Sequence, residues 1–148
     1  MREPDSEYTL GGMHIPTVLR RVSVVTVAAA AALVLAACGS PEAVHTVDAA
    51  AFSKQAQTAG VTVIDVRTPD EFAAGHIENA INIDVEGGNF DAGIADLDKA
   101  KTYAVYCHSG RRSGIAANTM AAAGFTNVYD LDGGIIAWGN AGDTLVTG

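Results

Sequence analysis

Cys107 is followed by His108-Ser109-Gly110-Arg111-Arg112-Ser113, which sets one thiol beside two guanidinium groups and a glycine. Upstream, Thr102 to Tyr106 is β-branched and aromatic and reads as a strand. Downstream, Ser113 to Ala123 is rich in helix formers, and Gly124 is placed to end the helix in a left-handed conformation. The thiol therefore falls in a short loop at a helix N-terminus, where roughly half a positive charge and unpaired N–H donors collect. In such a setting a cysteine pKa drops from about 8.5 into a range of about 3.5 to 7.5. Each unit favours the thiolate by about 1.4 kcal/mol, so the expected chemistry is nucleophilic. The competing reading is a small buried hydrophobe. Two arginines four and five residues on argue against it, since a purely structural thiol has no use for them.

Around this loop, strand and helix patterns alternate. Val44 to Val47 is a strand candidate. Asp48 can cap a helix running to about Thr58, closed by Gly60. Val61 to Val66 is a near-continuous apolar strand of the kind buried on both faces. Thr68-Pro69-Asp70-Glu71 is a strong helix start, and Gly75 ends that short helix. Ala80 to Ile83 reads as a strand, Phe90 to Leu97 as a helix and Tyr103 to Tyr106 as a strand. Arg112 to Ala123 is the next helix and Val128 to Leu131 the fifth strand. Asp132-Gly133-Gly134 then turns into a last short helix bearing Trp138. Regular alternation of this kind predicts an α/β fold, a parallel sheet covered by helices on both faces. Ligands of such sheets sit at the carboxyl ends of the strands, where Asp65-Val66-Arg67 and Cys107 both fall.

The chain before this domain reads as a targeting segment, residues 1–37. Arg20 and Arg21 precede an uncharged Ala/Val-rich run, Val22 to Ala37. As a helix that run spans about 24 Å, short of a hydrocarbon core of roughly 30 Å, so a signal peptide fits better than a spanning helix. Its Leu35-Ala36-Ala37-Cys38 ending resembles a bacterial lipobox, in which Cys38 is diacylated and becomes the new N-terminus. Two acyl chains suffice for stable attachment. The implied location is the outer face of the cell membrane, with residues 38–43 as lipidated end and tether and 44–148 as the domain. Met1 to Gly12 is acidic and lies ahead of the basic residues, so Met13 is an alternative start.

The net charge is −8 over 148 residues with two cysteines. The charges within residues 1–37 cancel, so the domain keeps the acidity, which argues against nucleic acid as a partner. With Cys38 lipidated, Cys107 has no intramolecular partner, and neither a disulfide framework nor a C-x-x-C pair can form. His45, His76 and His108 show no metal-ligand spacing. A monomer is the default expectation.

Three ordered motifs now resemble a single-domain rhodanese, a sulfurtransferase that carries sulfane sulfur as a cysteine persulfide. Ile64-Asp65-Val66-Arg67-Thr68-Pro69-Asp70-Glu71-Phe72 with Gly75-His76-Ile77 looks like the family's N-terminal signature, continued by Ala80-Ile81-Asn82-Ile83. Cys107 to Ser113 fits its Cys-x-x-Gly-x-Arg-Ser loop, and Leu131-Asp132-Gly133-Gly134-Ile135-Ile136-Ala137-Trp138 its C-terminal signature. The resemblance implies a three-layer α/β/α fold with a five-stranded parallel sheet in the order 3-2-4-5-1, placing Asp65 beside the loop.

The implied chemistry is ping-pong transfer without metal or organic cofactor. Cys107 takes sulfur from thiosulfate or a similar donor and passes it to a thiol or cyanide acceptor. Backbone N–H groups from His108, Ser109, Gly110 and on to Ser113 would hold the persulfide anion. Arg111 and Arg112 suit sulfonate oxygens, or Arg112 pairs with Asp65 and braces the loop. Arg67 and Glu71 are expected to form an ion pair across the helix start. His76 is expected to bond backbone near the site. Trp138 is expected in the core, with one wall of the pocket as a further use. His108 either tunes acceptor choice or serves through its backbone alone.

Two rivals are weighed. A cysteine-dependent phosphatase or arsenate reductase needs a Cys-x5-Arg loop, and here the last arginine comes one residue early. A non-catalytic binding module on the same scaffold is the other, although such members often lack the cysteine that this chain keeps. An exported low-pKa thiol is also open to oxidation, so either a reductant reaches it or the persulfide is its resting form.

Overall fold

The computed structural model describes residues 42–148; the leader and Cys38 lie outside the described residues. Among the described residues the order is β1 (Val44–Val47), α1 (Ala49–Ala56), β2 (Thr62–Asp65), α2 (Pro69–Ala74) and β3 (Ile81–Asn82). There follow α3 (Phe90–Ala95), β4 (Tyr103–Tyr106), α4 (Arg111–Ala122), β5 (Val128–Leu131) and α5 (Gly134–Asn140). The boundaries match the sequence expectation to within a residue or two at most ends. Asp48 accepts the Ala51 N–H at 2.8 Å and starts α1. Thr68 and Glu71 form a reciprocal capping box with Pro69 in the first turn of α2, satisfying two otherwise orphaned donors. β3 is shorter than expected. Ala80 N turns back to Ile77 O, with Asn79 in the left-handed region at φ 64°.

The five strands form one sheet in the order β1-β5-β4-β2-β3, every pair parallel. Read from the other edge this is 3-2-4-5-1, as expected. Asp65 stands opposite Tyr106, so the end of β2 and the residue after β4 meet at one edge.

Strand alternation divides the core between two faces. Ile64, Val66, Tyr103, Val105 and Cys107 pack with Phe90, Ile94, Ala116 and Met120 of α3 and α4. Val63, Ala104, Tyr106 and Leu131 pack with Phe52 and Trp138 of α1 and α5. Burying each large side chain contributes about 1.5–3 kcal/mol. Asp65 follows the parity of Val63 and lies on the α1/α5 side; Cys107 lies on the α3/α4 side. The Tyr106 hydroxyl, on the same side as Asp65, accepts the Ile77 N–H at 3.0 Å and pulls the segment after α2 across the sheet edge.

Candidate active site

Cys107 is the first residue beyond β4 and is almost wholly buried, at 1 % exposure. The chain then turns through exposed His108 and Ser109 to Gly110, which enters α4 at φ +91°. That left-handed turn aims the Gly110 N–H at Cys107 Sγ, 3.1 Å away. The carbonyls of the loop point elsewhere: Cys107 O accepts from Ile135 N at 2.9 Å and His108 O from Ile136 N at 3.3 Å. The start of α5 thus holds the loop oxygens and leaves its N–H groups facing the sulfur. Gly134 makes this approach possible. A Cβ there would lie 2.5 Å from Cys107 O, and its φ of +59° also disfavours any other residue.

Burial pushes the Cys107 thiol pKa up, but the Ser113 hydroxyl and the N–H groups of Ser113, Ser109 and Gly110 outweigh it, leaving the pKa below the ordinary thiol range. Ser113 is fully buried, and its hydroxyl also donates to Gly110 O at 3.1 Å. One hydroxyl proton cannot serve both acceptors at once, so the backbone N–H groups are the fixed donors.

Three ion pairs surround the loop. Asp65, fully buried, takes Arg67 Nη2 at 2.6 Å and Nε at 3.0 Å, and Arg67 Nη2 also reaches Gly75 O at 2.6 Å. The Arg112 guanidinium grips Glu71 with both Nη atoms at 2.7 Å. These bonds, foremost among the causes, hold Glu71 down at about 2, against the opposing effect of burial. Arg111, exposed, meets Glu86 at 2.8 Å, and Arg112 Nη1 lies 3.6 Å from the other Glu86 oxygen.

Two expected pairings are therefore corrected. Arg112 does not pair with Asp65, and Arg67 does not pair with Glu71. Asp65 projects on the face opposite Cys107, where Arg67 folds back over the Tyr106 ring, 5.8 Å from its centroid, and captures it. Glu71 is held by its capping box on the side from which Arg112 leaves α4. His76 bonds backbone as expected, with Nδ1 3.0 Å from Phe72 O, and stacks on the Phe72 ring. Trp138 is a core residue, edge-on to Phe52, its Nε1 donating to Thr144 O at 3.0 Å. It does not line the cavity of about 300 Å³ beside the loop, whose walls include His108, Glu71, Ile135 and Leu145.

Residues 48–141 match the family model described as Rhodanese-like domain. The chain belongs to the rhodanese-like family. Among curated relatives of this rhodanese domain, thiosulfate sulfurtransferase GlpE of Pseudomonas entomophila is 42 % identical over 79 residues, 53 % of this chain and 71 % of the relative. A sulfurtransferase of Allochromatium vinosum is 33 % identical over 104 residues, 70 % of this chain and 95 % of the relative. The crystal structure of a rhodanese-related protein from Thermoplasma volcanium superposes with a TM-score of 0.62 at 32 % identity, covering 70 % of this chain and 99 % of that one. With these relatives, the chain is an enzyme of the rhodanese sulfurtransferase type.

Sequence reasoning gave no role to three residues that shape this rhodanese site. Asn82 braces the end of β2, its amide donating to Asp65 O at 3.0 Å and Arg67 O at 2.8 Å. Glu86 sits in a Gly-rich stretch without periodicity, and only the fold brings it to Arg111. Asp130, on β5, has a buried Oδ1 with no hydrogen-bond partner; it reads in sequence as one more acidic residue.

Proposed function

We propose that this rhodanese transfers sulfane sulfur through a Cys107 persulfide, and the observation that carries it is Cys107 Sγ beneath the Gly110 N–H at 3.1 Å. The thiolate attacks the outer sulfur of thiosulfate or a similar donor. The donor S–S bond breaks, sulfite leaves with the bonding pair, and Cys107 becomes a persulfide anion. The N–H groups that lower the thiol pKa are placed to receive the negative charge on the added sulfur, as an oxyanion hole does for oxygen. A thiol or cyanide then attacks that sulfur and restores the thiolate.

Intact mass of the full-length chain before and after thiosulfate tests this reading. Gain of one sulfur atom, removed by cyanide with formation of thiocyanate and absent in Cys107→Ser, supports it. No gain, with slow alkylation of Cys107 at neutral pH, favours a binding module instead.

The proposal includes export and attachment to the outer face of the membrane through lipid on Cys38, with the domain acting as a monomer. The Leu35-Ala36-Ala37-Cys38 ending supports it. Incorporation of labelled fatty acid in cells, lost in Cys38→Ala, is the expected result.

A further inference from the structure

Among the described residues, every guanidinium at the carboxyl edge of the sheet is already matched to a carboxylate: Arg67 to Asp65, Arg112 to Glu71 and Arg111 to Glu86. The lysines of the described residues are elsewhere. Lys54 lies in the last turn of α1, and Lys99 and Lys101 precede β4, all at the amino ends of the strands. What remains to attract an anion is the ring of backbone N–H groups over Cys107, enough for one charge on one sulfur. A sulfonate head carrying further charge outside that ring meets no unmatched cation among the described residues.

The pairs also differ in strength. Arg67–Asp65 is buried and Arg112–Glu71 is closed by two bonds, with Arg112 only 12 % exposed. Arg111–Glu86 is a single contact between side chains that are 67 % and 51 % exposed. Glu86 is thus the one carboxylate that can be moved at little cost, and it stands within 3.6 Å of Arg112 as well. On the other side, the cavity beside the loop presents Ala74, Ile135 and Leu145 as apolar wall together with His108, and the Arg67 and Glu71 that also line it are both already ion-paired. Such a wall matches an organic group and offers little to a naked inorganic dianion.

We infer that Glu86 is a specificity-determining residue that disfavours dianionic donors such as thiosulfate and leaves the site to organic persulfides carrying at most one negative charge. This inference rests on the transfer reading above. In the favoured reaction the Cys107 thiolate attacks the outer sulfur of R–S–SH. The bond between the two donor sulfurs breaks, RS⁻ leaves with the electron pair, and the outer sulfur stays on Cys107 with its proton. No oxidant or reductant is consumed.

The test compares second-order rates of sulfur loading on Cys107 of the full-length chain, read by intact mass, with thiosulfate and with cysteamine persulfide. Glu86→Gln is expected to raise the thiosulfate-to-persulfide rate ratio by up to about fivefold, the upper end of what an exposed ion pair commands. Glu86→Asp, which keeps the charge, is expected to stay near the wild-type ratio. Added salt should shrink the difference between wild type and Glu86→Gln, because exposed charges are screened. Loading that proceeds with an unchanged or lowered ratio in Glu86→Gln overturns the inference alone. Loading from neither donor in either protein overturns the transfer reading and this inference with it.

Discussion

Glu71 and Arg112 are 41 positions apart in sequence and are joined by two hydrogen bonds of 2.7 Å. The same carboxylate accepts the Thr68 N–H at 3.2 Å, closing the start of α2. One side chain therefore fastens the first turn of α2 to the first turn of α4, which carries the nucleophile loop.

Replacing Glu71 with Gln leaves an acceptor for the Thr68 N–H but removes the charge that Arg112 grips, and should cost up to about 1 kcal/mol of stability, the scale of a partly exposed ion pair. Because the folded pKa of Glu71 is depressed to about 2, its contribution is fully present above the unfolded value near 4.3. It is lost as pH falls from there through about 2. Urea midpoints of wild type and Glu71→Gln should differ at pH 7 and converge in acid.

The thiolate of Cys107 depends on hydrogen bonds that overcome its burial. Ser113→Ala removes one of the donors that hold the thiol pKa down, so the pKa should rise and alkylation at neutral pH should slow. At a pH well above both pKa values the two proteins should alkylate at similar rates. A uniform slowing at all pH values would point to changed access instead.

Gly134→Ala places a methyl group against Cys107 O in a backbone conformation at positive φ. The expected cost exceeds 2 kcal/mol, with loss of sulfur loading even at temperatures where the variant is folded. Thermal unfolding together with intact mass after thiosulfate checks both parts.

Asp130 carries a buried carboxyl oxygen without a partner. Burial, first among its causes, raises its pKa despite a favourable effect from Ser113. A raised carboxyl pKa means that stability is lost as pH rises from the unfolded value through the folded one. Asp130→Asn should therefore stabilise the domain at neutral pH by about 1 kcal/mol, a gain that fades in acid. Urea midpoints at pH 7 and near pH 4 measure it.

The parallel sheet and the position of the loop were legible because each rests on local or repeated signals, whereas the strand order came from the family resemblance. The apolar run Val61 to Val66, the Thr68-Pro69-Asp70-Glu71 helix start and the turn at Gly110 each act within a few residues. The partners of the arginines were not legible. Asp65, Glu71 and Glu86 are all plausible mates for Arg67, Arg111 or Arg112, and the choice depends on which face of the sheet each side chain leaves. Asp65 and Cys107 belong to opposite faces, a consequence of strand parity and register together. Glu86 lacked even that signal: Asp84 accepts the Glu86 N–H at 2.9 Å and shapes the turn locally, but what sets the turn against the sheet is Val85 N bonding to Val66 O at 3.2 Å.

The dependence of the Cys107 loop on α5 has a bearing on biosynthesis. Ile135 and Ile136, which hold the carbonyls of Cys107 and His108, leave the ribosome well after the nucleophile itself. A chain stopped before residue 134 contains the thiol, the glycine and both arginines, yet it lacks the donors that hold the carbonyls of Cys107 and His108 away from sulfur. Full arming of the reactive cysteine therefore requires α5 as well as the loop's own turn, so a truncation that spares every residue of the loop still disarms it in part.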